Sequence, residues 1–265
     1  MEKGGLNVQS IQDFRKYFDG LSGPGTAPAW GSPWPKQYTQ LERPDGPLPF
    51  PTVRLVVIPL EDSPSLVSAA AAATREVVSA LPPGDMFLNA RNSYHVTLFH
   101  TSGLFDPVTD PLQFDGGLPA GLAPCDRPCS SLVTLEAERE RVESLAARTA
   151  APQLEVDRVV FADSGVLLLL LLEVETNSVV EIRRNAREVL PGMPAKVPSI
   201  IHVSLMRYLS PARLSPEQIQ RLQYVCKKWT DQMRGKRFTP SNLWYVQEKE
   251  FSTIAGNRVV MPFNR

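Results

Sequence analysis

The 265-residue chain is poor in cysteine and histidine, with three of each, and carries no net charge. Three cysteines are an odd number and too few for a disulfide framework, which fits a reducing compartment. The 28 basic and 28 acidic side chains cancel. No global field draws such a protein onto nucleic acid or an anionic membrane, so any phosphate recognition must be local. Long apolar runs are also missing. The longest, Val166 to Leu172, has seven residues, against roughly 20 for a bilayer span, and reads as a buried strand. The N-terminus, Met-Glu-Lys-Gly-Gly, lacks the charged-then-apolar pattern of a secretory signal. The expectation is an intracellular protein, cytoplasmic or in an organelle, with no membrane partner. There is no G-x-S-x-G elbow, no G-x-x-x-x-G-K-[ST] phosphate loop, no H-E-x-x-H and no dinucleotide fingerprint. These gaps argue against a serine hydrolase, a kinase or ligase, and a zinc protease.

What is present divides in two. Residues 1–51 hold eight of the 25 prolines. Proline fixes φ and removes a donor, so this leader should be mostly irregular. A short helix near Val8–Phe18 and packing of Trp30 and Trp34 on the main domain are expected within it. From Thr52 the pattern is regular. Val53–Leu60 reads as a strand and Ser63–Leu81, opening on Ser-Pro, as a helix. Met86–Leu88 and Tyr94–Thr101 read as strands. Residues 102–130, with five prolines and four glycines, read as a long loop. Ser131–Thr149 reads as a charged helix, and Leu154–Ala162 with Val166–Val174 as a hairpin turning at Asp163-Ser164-Gly165. Thr176–Leu190 is an expected helix, Ile200–Tyr208 a strand and Pro216–Met233 a helix. Strands at Leu243–Lys249 and near Arg258–Pro262 close the chain. Adjacent strand pairs imply antiparallel pairing and a mixed α+β domain over 52–265 rather than a doubly wound sheet.

Two of the three histidines sit in matching strands. The first reads Tyr94-His95-Val96-Thr97-Leu98-Phe99 and the second Ile201-His202-Val203-Ser204-Leu205-Met206. Both contain His-Val-[Thr/Ser]-Leu. Side chains alternate along a strand, so His95 shares a face with Thr97, and His202 with Ser204. If the strands are neighbours, two imidazoles and two hydroxyls converge. That set suits phosphodiester cleavage without a metal or other cofactor. One imidazole takes a proton, the other gives one, and the hydroxyls of Thr97 and Ser204 bind non-bridging phosphate oxygens.

At these residues the chain resembles the two-histidine (2H) phosphoesterase superfamily, named for paired H-x-[S/T]-x motifs. The resemblance runs from about Thr52 to the C-terminus. It implies a bilobal α+β fold with two antiparallel sheets and outer helices flanking a central cleft, one motif per lobe. It also implies a phosphodiesterase. The expected reaction is hydrolysis of a 2′,3′-cyclic phosphate on a nucleotide or an RNA end, with catalytic His95 and His202 and phosphate-binding Thr97 and Ser204. A 3′-end RNA-trimming enzyme of the same fold and a non-catalytic RNA-binding scaffold are the alternatives. A monomer is expected.

Strict alternation extends the His95 face to Phe99 and Thr101, and the His202 face to Met206 and Tyr208. Phe99 and Tyr208 are therefore the candidates for stacking on a base. By the same rule His100 and Arg207 point away and Tyr94 packs in the core. Cys125 and Cys129 lack companion ligands for zinc. The charge run Glu136–Glu143 reads as a solvated helix face. The cluster Lys227, Lys228, Arg234, Lys236 and Arg237 reads as a solvated helix end that could also steer a phosphate backbone. Trp229 reads as core, and Trp244 as core or groove wall.

Overall fold

The structure is a computed structural model that describes residues 53–84, 86–103, 132–162, 165–194, 197–209, 214–250 and 253–264. The leader 1–51, nearly all of the 102–130 loop and the Asp163-Ser164 turn lie outside these residues.

In chain order the elements are β1 (Arg54–Pro59), α1 (Pro64–Ala80), β2 (Met86–Leu88), β3 (His95–Ser102), α2 (Leu132–Arg148), β4 (Leu154–Phe161), β5 (Val166–Glu173), α3 (Ser178–Val189), β6 (Ile201–Tyr208), α4 (Pro216–Met233), β7 (Arg237–Phe238), β8 (Asn242–Glu250) and β9 (Ala255–Pro262). A 3-10 turn at Arg91–Ser93 leads into β3. The helices and strands expected from Val53 onward are all there among the described residues, while the helix expected near Val8–Phe18 lies outside them. The two-residue strand β7 and the 3-10 turn are additions, too short to leave a periodic signal.

Local chemistry accounts for the boundaries. Helix α4 opens with a capping box: the Gln218 amide donates to Ser215 Oγ at 3.3 Å and the Ser215 amide to Gln218 Oε1 at 2.7 Å. Proline occupies its first turn and that of α1, where a missing N–H costs nothing. Strand β5, Val-Leu-Leu-Leu-Leu-Leu-Leu-Glu, is buried on both faces except at its ends. Its unbroken apolar run is what a central strand requires.

The strands order as β7-β4-β5-β6-β3-β1-β8-β9, with β2 pairing on β6, and every pair is antiparallel. Two sheet halves are evident, β7-β4-β5-β6 and β3-β1-β8-β9. They join at a seam between β3 and β6 where a single pair, Val96 and Val203, is in register. The expected two sheets are thus continuous through one register pair.

One face of this sheet carries the main core. Residues from all four helices, among them Leu66, Val142, Ile182 and Leu222, pack there with Val56, Val96, Leu169, Val203 and Tyr245. The opposite face carries two smaller apolar clusters. One comprises Val160, Ala162, Leu168, Leu170 and Leu172, the other Leu55, Val57, Trp244, Val246 and Ile254. The paired motifs lie between these two clusters.

Within helix α2 the charge run is not wholly solvated. Glu138 is buried and accepts from Arg54 Nε at 3.1 and 3.0 Å and from the Tyr245 hydroxyl at 3.0 Å. A helical charge run places one residue in every few on the inner face, and here that residue meets a buried cation.

Candidate active site

The seam register determines how the motifs meet. Val96 opposes Val203 in an antiparallel pair. His95 then lies across from Ser204, and Thr97 across from His202. A pseudo-two-fold axis through the valine pair exchanges the histidines and the hydroxyls. Both valines are fully buried in the main core, so the four polar residues project from the other face. His95, Thr97, His202 and Ser204 are partly exposed among buried neighbours on their strands, as is His100 further along β3. Diagonal neighbours across an antiparallel pair sit about 7–8 Å apart at Cβ, a span that leaves room for a phosphoryl group between two imidazoles.

Beyond the motifs, strict alternation fails on both strands. Val56 pairs with Phe99 but Val57 pairs with Thr97, leaving Leu98 as an extra residue. Leu167 pairs with Met206 but Leu168 with Ser204, leaving Leu205 as an extra residue. These are β-bulges at equivalent places, and each re-aims the strand that follows. Phe99 and Tyr208 consequently turn into the main core, each with no exposed surface. Neither ring offers a face to a base, and this corrects the stacking assignment. Met206 goes the same way, and Thr101 is fully buried too. Conversely, His100 pairs with Leu55 and Arg207 with Val166, which places both on the motif face. The assumption of unbroken alternation had them pointing away.

Each bulge is held by two hydrogen bonds. The Asn89 amide donates to Leu205 O at 3.1 Å, and its Nδ2 to Ser204 O at 2.6 Å. Arg183, buried on α3, donates from Nε to Leu98 O at 3.0 Å and from Nη2 to Thr97 O at 3.0 Å. Its Nη2 also reaches Ile200 O at 3.2 Å, at the head of β6. Neither Asn89 nor Arg183 was singled out from the sequence. Both act through backbone carbonyls, and a donor to the main chain has no motif.

The two imidazoles differ in one contact. His95 Nδ1 lies 2.7 Å from Ser93 O. A carbonyl only accepts, so Nδ1 carries the proton and Nε2 is left for chemistry. The matching carbonyl for His202 is Ile200 O, which favours the protonated ring. Even so, His202 Nδ1 makes no hydrogen bond of standard geometry among the described residues. Both pKa values are pushed down to about 4, chiefly by desolvation. Arg207 lowers both, Arg258 adds to the effect at His95, and Arg183 and His95 add to it at His202. The site therefore holds two neutral imidazoles at pH 7 in the field of the Arg207 guanidinium.

Remaining candidates sort by place. Phe87 pairs with Arg207 and is partly exposed, and the guanidinium carbon lies 6.0 Å from its ring centroid. It is an aromatic on the motif face that strand β2 was too short to advertise. Trp244 belongs to the motif-face cluster, with Arg258 stacked 4.6 Å from its ring. Tyr94 is core, as expected, with its hydroxyl 3.5 Å from Thr74 Oγ1. Trp229 packs against the main core and donates to Glu76 at 2.8 Å. Much of the basic cluster is already ion-paired: Lys227 with Asp231, Lys228 with Glu76, Arg237 with Glu155 and Glu175. Cys125 and Cys129 fall outside the described residues. Among the described residues no three His, Cys, Asp or Glu side chains gather as a metal site, and no helix is long and apolar enough to cross a membrane.

One solved structure shares this architecture, and others align more loosely. A conserved protein of unknown function from Agrobacterium tumefaciens, ATU0111, aligns over 86% of this chain and 97% of its own, with a TM-score of 0.51 at 15% identity. The shared fold is a mixed α+β one, a large antiparallel sheet with four helices among the described residues. Kluyveromyces marxianus Usb1 aligns over 80% of this chain and 98% of its own, with a TM-score of 0.45 at 11% identity. E. coli LigT complexed with phosphate aligns over 83% and 96%, with a TM-score of 0.36 at 15% identity. No protein-family model and no curated protein matches the chain. The likeness is one of fold, so the chemistry must be argued from the residues of this two-histidine scaffold.

Proposed function

We propose that the protein is a phosphodiesterase that hydrolyses a 2′,3′-cyclic phosphate, on a nucleotide or at an RNA end, without a metal. The seam register carries this reading: each imidazole faces the other strand's hydroxyl across the Val96–Val203 pair. In-line displacement at phosphorus needs a base and an acid on opposite sides of it. The pseudo-two-fold axis supplies two imidazoles so related. One histidine takes a proton from water as the water oxygen bonds to phosphorus. The other, protonated as the anionic phosphate enters between the rings, delivers that proton to the ribose oxygen as its bond to phosphorus breaks, leaving a phosphomonoester. Thr97 and Ser204 donate hydrogen bonds to the non-bridging oxygens. Arg207 supplies the positive charge that two neutral imidazoles lack.

Pure protein incubated in EDTA with 2′,3′-cyclic nucleotides and with short RNAs of defined ends tests the reading. Turnover is expected, with His95→Ala and His202→Ala each reducing kcat by about 10²–10⁴-fold while the circular dichroism spectrum is kept. Product analysis distinguishes attack by water from attack by a ribose hydroxyl, the trimming variant of the same chemistry. Binding without turnover on every substrate would indicate an RNA-binding scaffold. Full activity in either alanine variant would remove the proposed roles.

A further inference from the structure

We propose that Arg183 is the positioning residue of this site: it locks the motif strands together across the seam and makes the two histidines unequal. The observation is its three hydrogen bonds. Two hold the β3 bulge at Thr97 O and Leu98 O, and the third crosses to Ile200 O on the β6 side. Asn89 does the matching work for the β6 bulge, at Ser204 O and Leu205 O, but among the described residues no hydrogen bond carries it across to β3. At the seam the backbone contributes a single register pair. A side chain that spans it therefore sets the separation of His95 and His202.

The same contact breaks the pseudo-symmetry. Ser93 O is left to His95 Nδ1, whereas its counterpart Ile200 O receives Arg183 Nη2. Arg183 is 4% exposed and its guanidinium sits in the field of Glu173, which in turn accepts from the Val179 amide at 3.0 Å and from Thr176 Oγ1 at 2.6 Å. Arg183 is thus fixed in place by helix α3 rather than free to follow the substrate. The charged and titratable groups facing His202 are Arg183 from α3, His95 from β3 and Arg207 from β6 itself; those facing His95 are Arg207 and Arg258. Arg183 is the cation that acts on one histidine only from outside the motif face.

The kinetic part of this proposal rests on the phosphodiesterase reading, and the spectroscopic part does not. Histidine ring resonances are titrated by NMR in wild type, Arg183→Met and Arg183→Lys, with the amide spectrum reporting folding at each pH. Methionine removes the charge and all three donors. Lysine keeps the charge with fewer directed bonds, and is the variant to use should methionine not fold. In Arg183→Met the His202 midpoint should rise by about one pH unit with His95 nearly unmoved, and in Arg183→Lys both should stay close to wild type. On a cyclic nucleotide, kcat should fall about 100-fold in both variants, with KM changed by less than about 3-fold. Equal movement of both histidines in Arg183→Met, or no movement of His202, would overturn the asymmetry. Wild-type kcat in either variant would overturn the positioning role. A wild-type protein with no turnover would sink the phosphodiesterase reading and leave the NMR comparison to decide alone.

Discussion

Burial holds His95 and His202 near a pKa of about 4 in the folded chain, against 6.5 for an exposed imidazole. The unfolded chain therefore binds more protons than the folded one between pH 6.5 and about 4. Stability is lost as pH falls through that window and is unaffected by these groups above it. Phosphate should counter the loss, because an anion between the rings favours the imidazolium form. Inorganic phosphate is expected to bind more tightly as pH drops from 7 toward 5, with proton uptake measurable by calorimetry in buffers of different ionisation enthalpy. A His95→Gln, His202→Gln double variant should lose both the uptake and that part of the acid sensitivity. Proton release on binding would contradict the neutral starting state. At this scale the four motif residues were legible because a two-residue period and a repeated tetrapeptide mark them. Phe99, Tyr208, His100 and Arg207 were misplaced for one reason. A bulge at Leu98 and another at Leu205 reverse the parity, and leucine carries no sign that it will be the extra residue. Phe87 is a partly exposed aromatic on the motif face. Phe87→Ala should raise KM for a nucleoside 2′,3′-cyclic phosphate about 10-fold, within the range for one stacked base, and leave kcat nearly unchanged.

Elements were legible where their periodicity or caps were strong. Ser215 and Gln218, three apart and ahead of an apolar stripe, announce α4 from sequence alone. Helix α2 was recognised as a helix, but its charge run hid a buried residue. Glu138 is fully buried, as is Tyr245, and Arg54 is 1% exposed. This network ties α2 to β1 and β8 on the helical face, away from the histidines. The carboxylate beside Tyr245 and the burial of the ring both push the phenol's pKa up. Removing one partner of a buried ion pair strands the other in a low-dielectric core. Glu138→Ala should therefore destabilise the protein by about 3–5 kcal/mol, read as a lower urea midpoint with an unchanged slope. Activity per folded molecule should be retained. A loss of kcat in still-folded protein would mean that the helical face communicates with the site.

The whole molecule is built by exchange between its halves, and this was the part least legible from sequence. Strands β8 and β9, at the C-terminal end, complete the half begun by β1, a pairing across nearly the full described chain with no local signature. The crossover helices exchange as well. Helix α1 follows β1 of one half yet packs on β6 of the other and on α4; α3 follows β5 yet packs on β3. Each motif strand is thus supported from behind by the helix that leaves the opposite half. Such interlocking makes the main core common to both halves and leaves each with only a small cluster of its own, although a two-lobed chain of this length could have folded as two units. Urea unfolding should accordingly be a single transition. Circular dichroism and the fluorescence of Trp229 and Trp244, one in α4 and one in β8, should trace the same curve in a Trp30→Phe, Trp34→Phe background. Arg183→Lys should shift that curve as a whole. Two separated transitions, or a curve in which Trp244 lags Trp229, would show that the seam between the histidines joins two independently stable lobes, and the active site would then have to be assembled by docking rather than by folding.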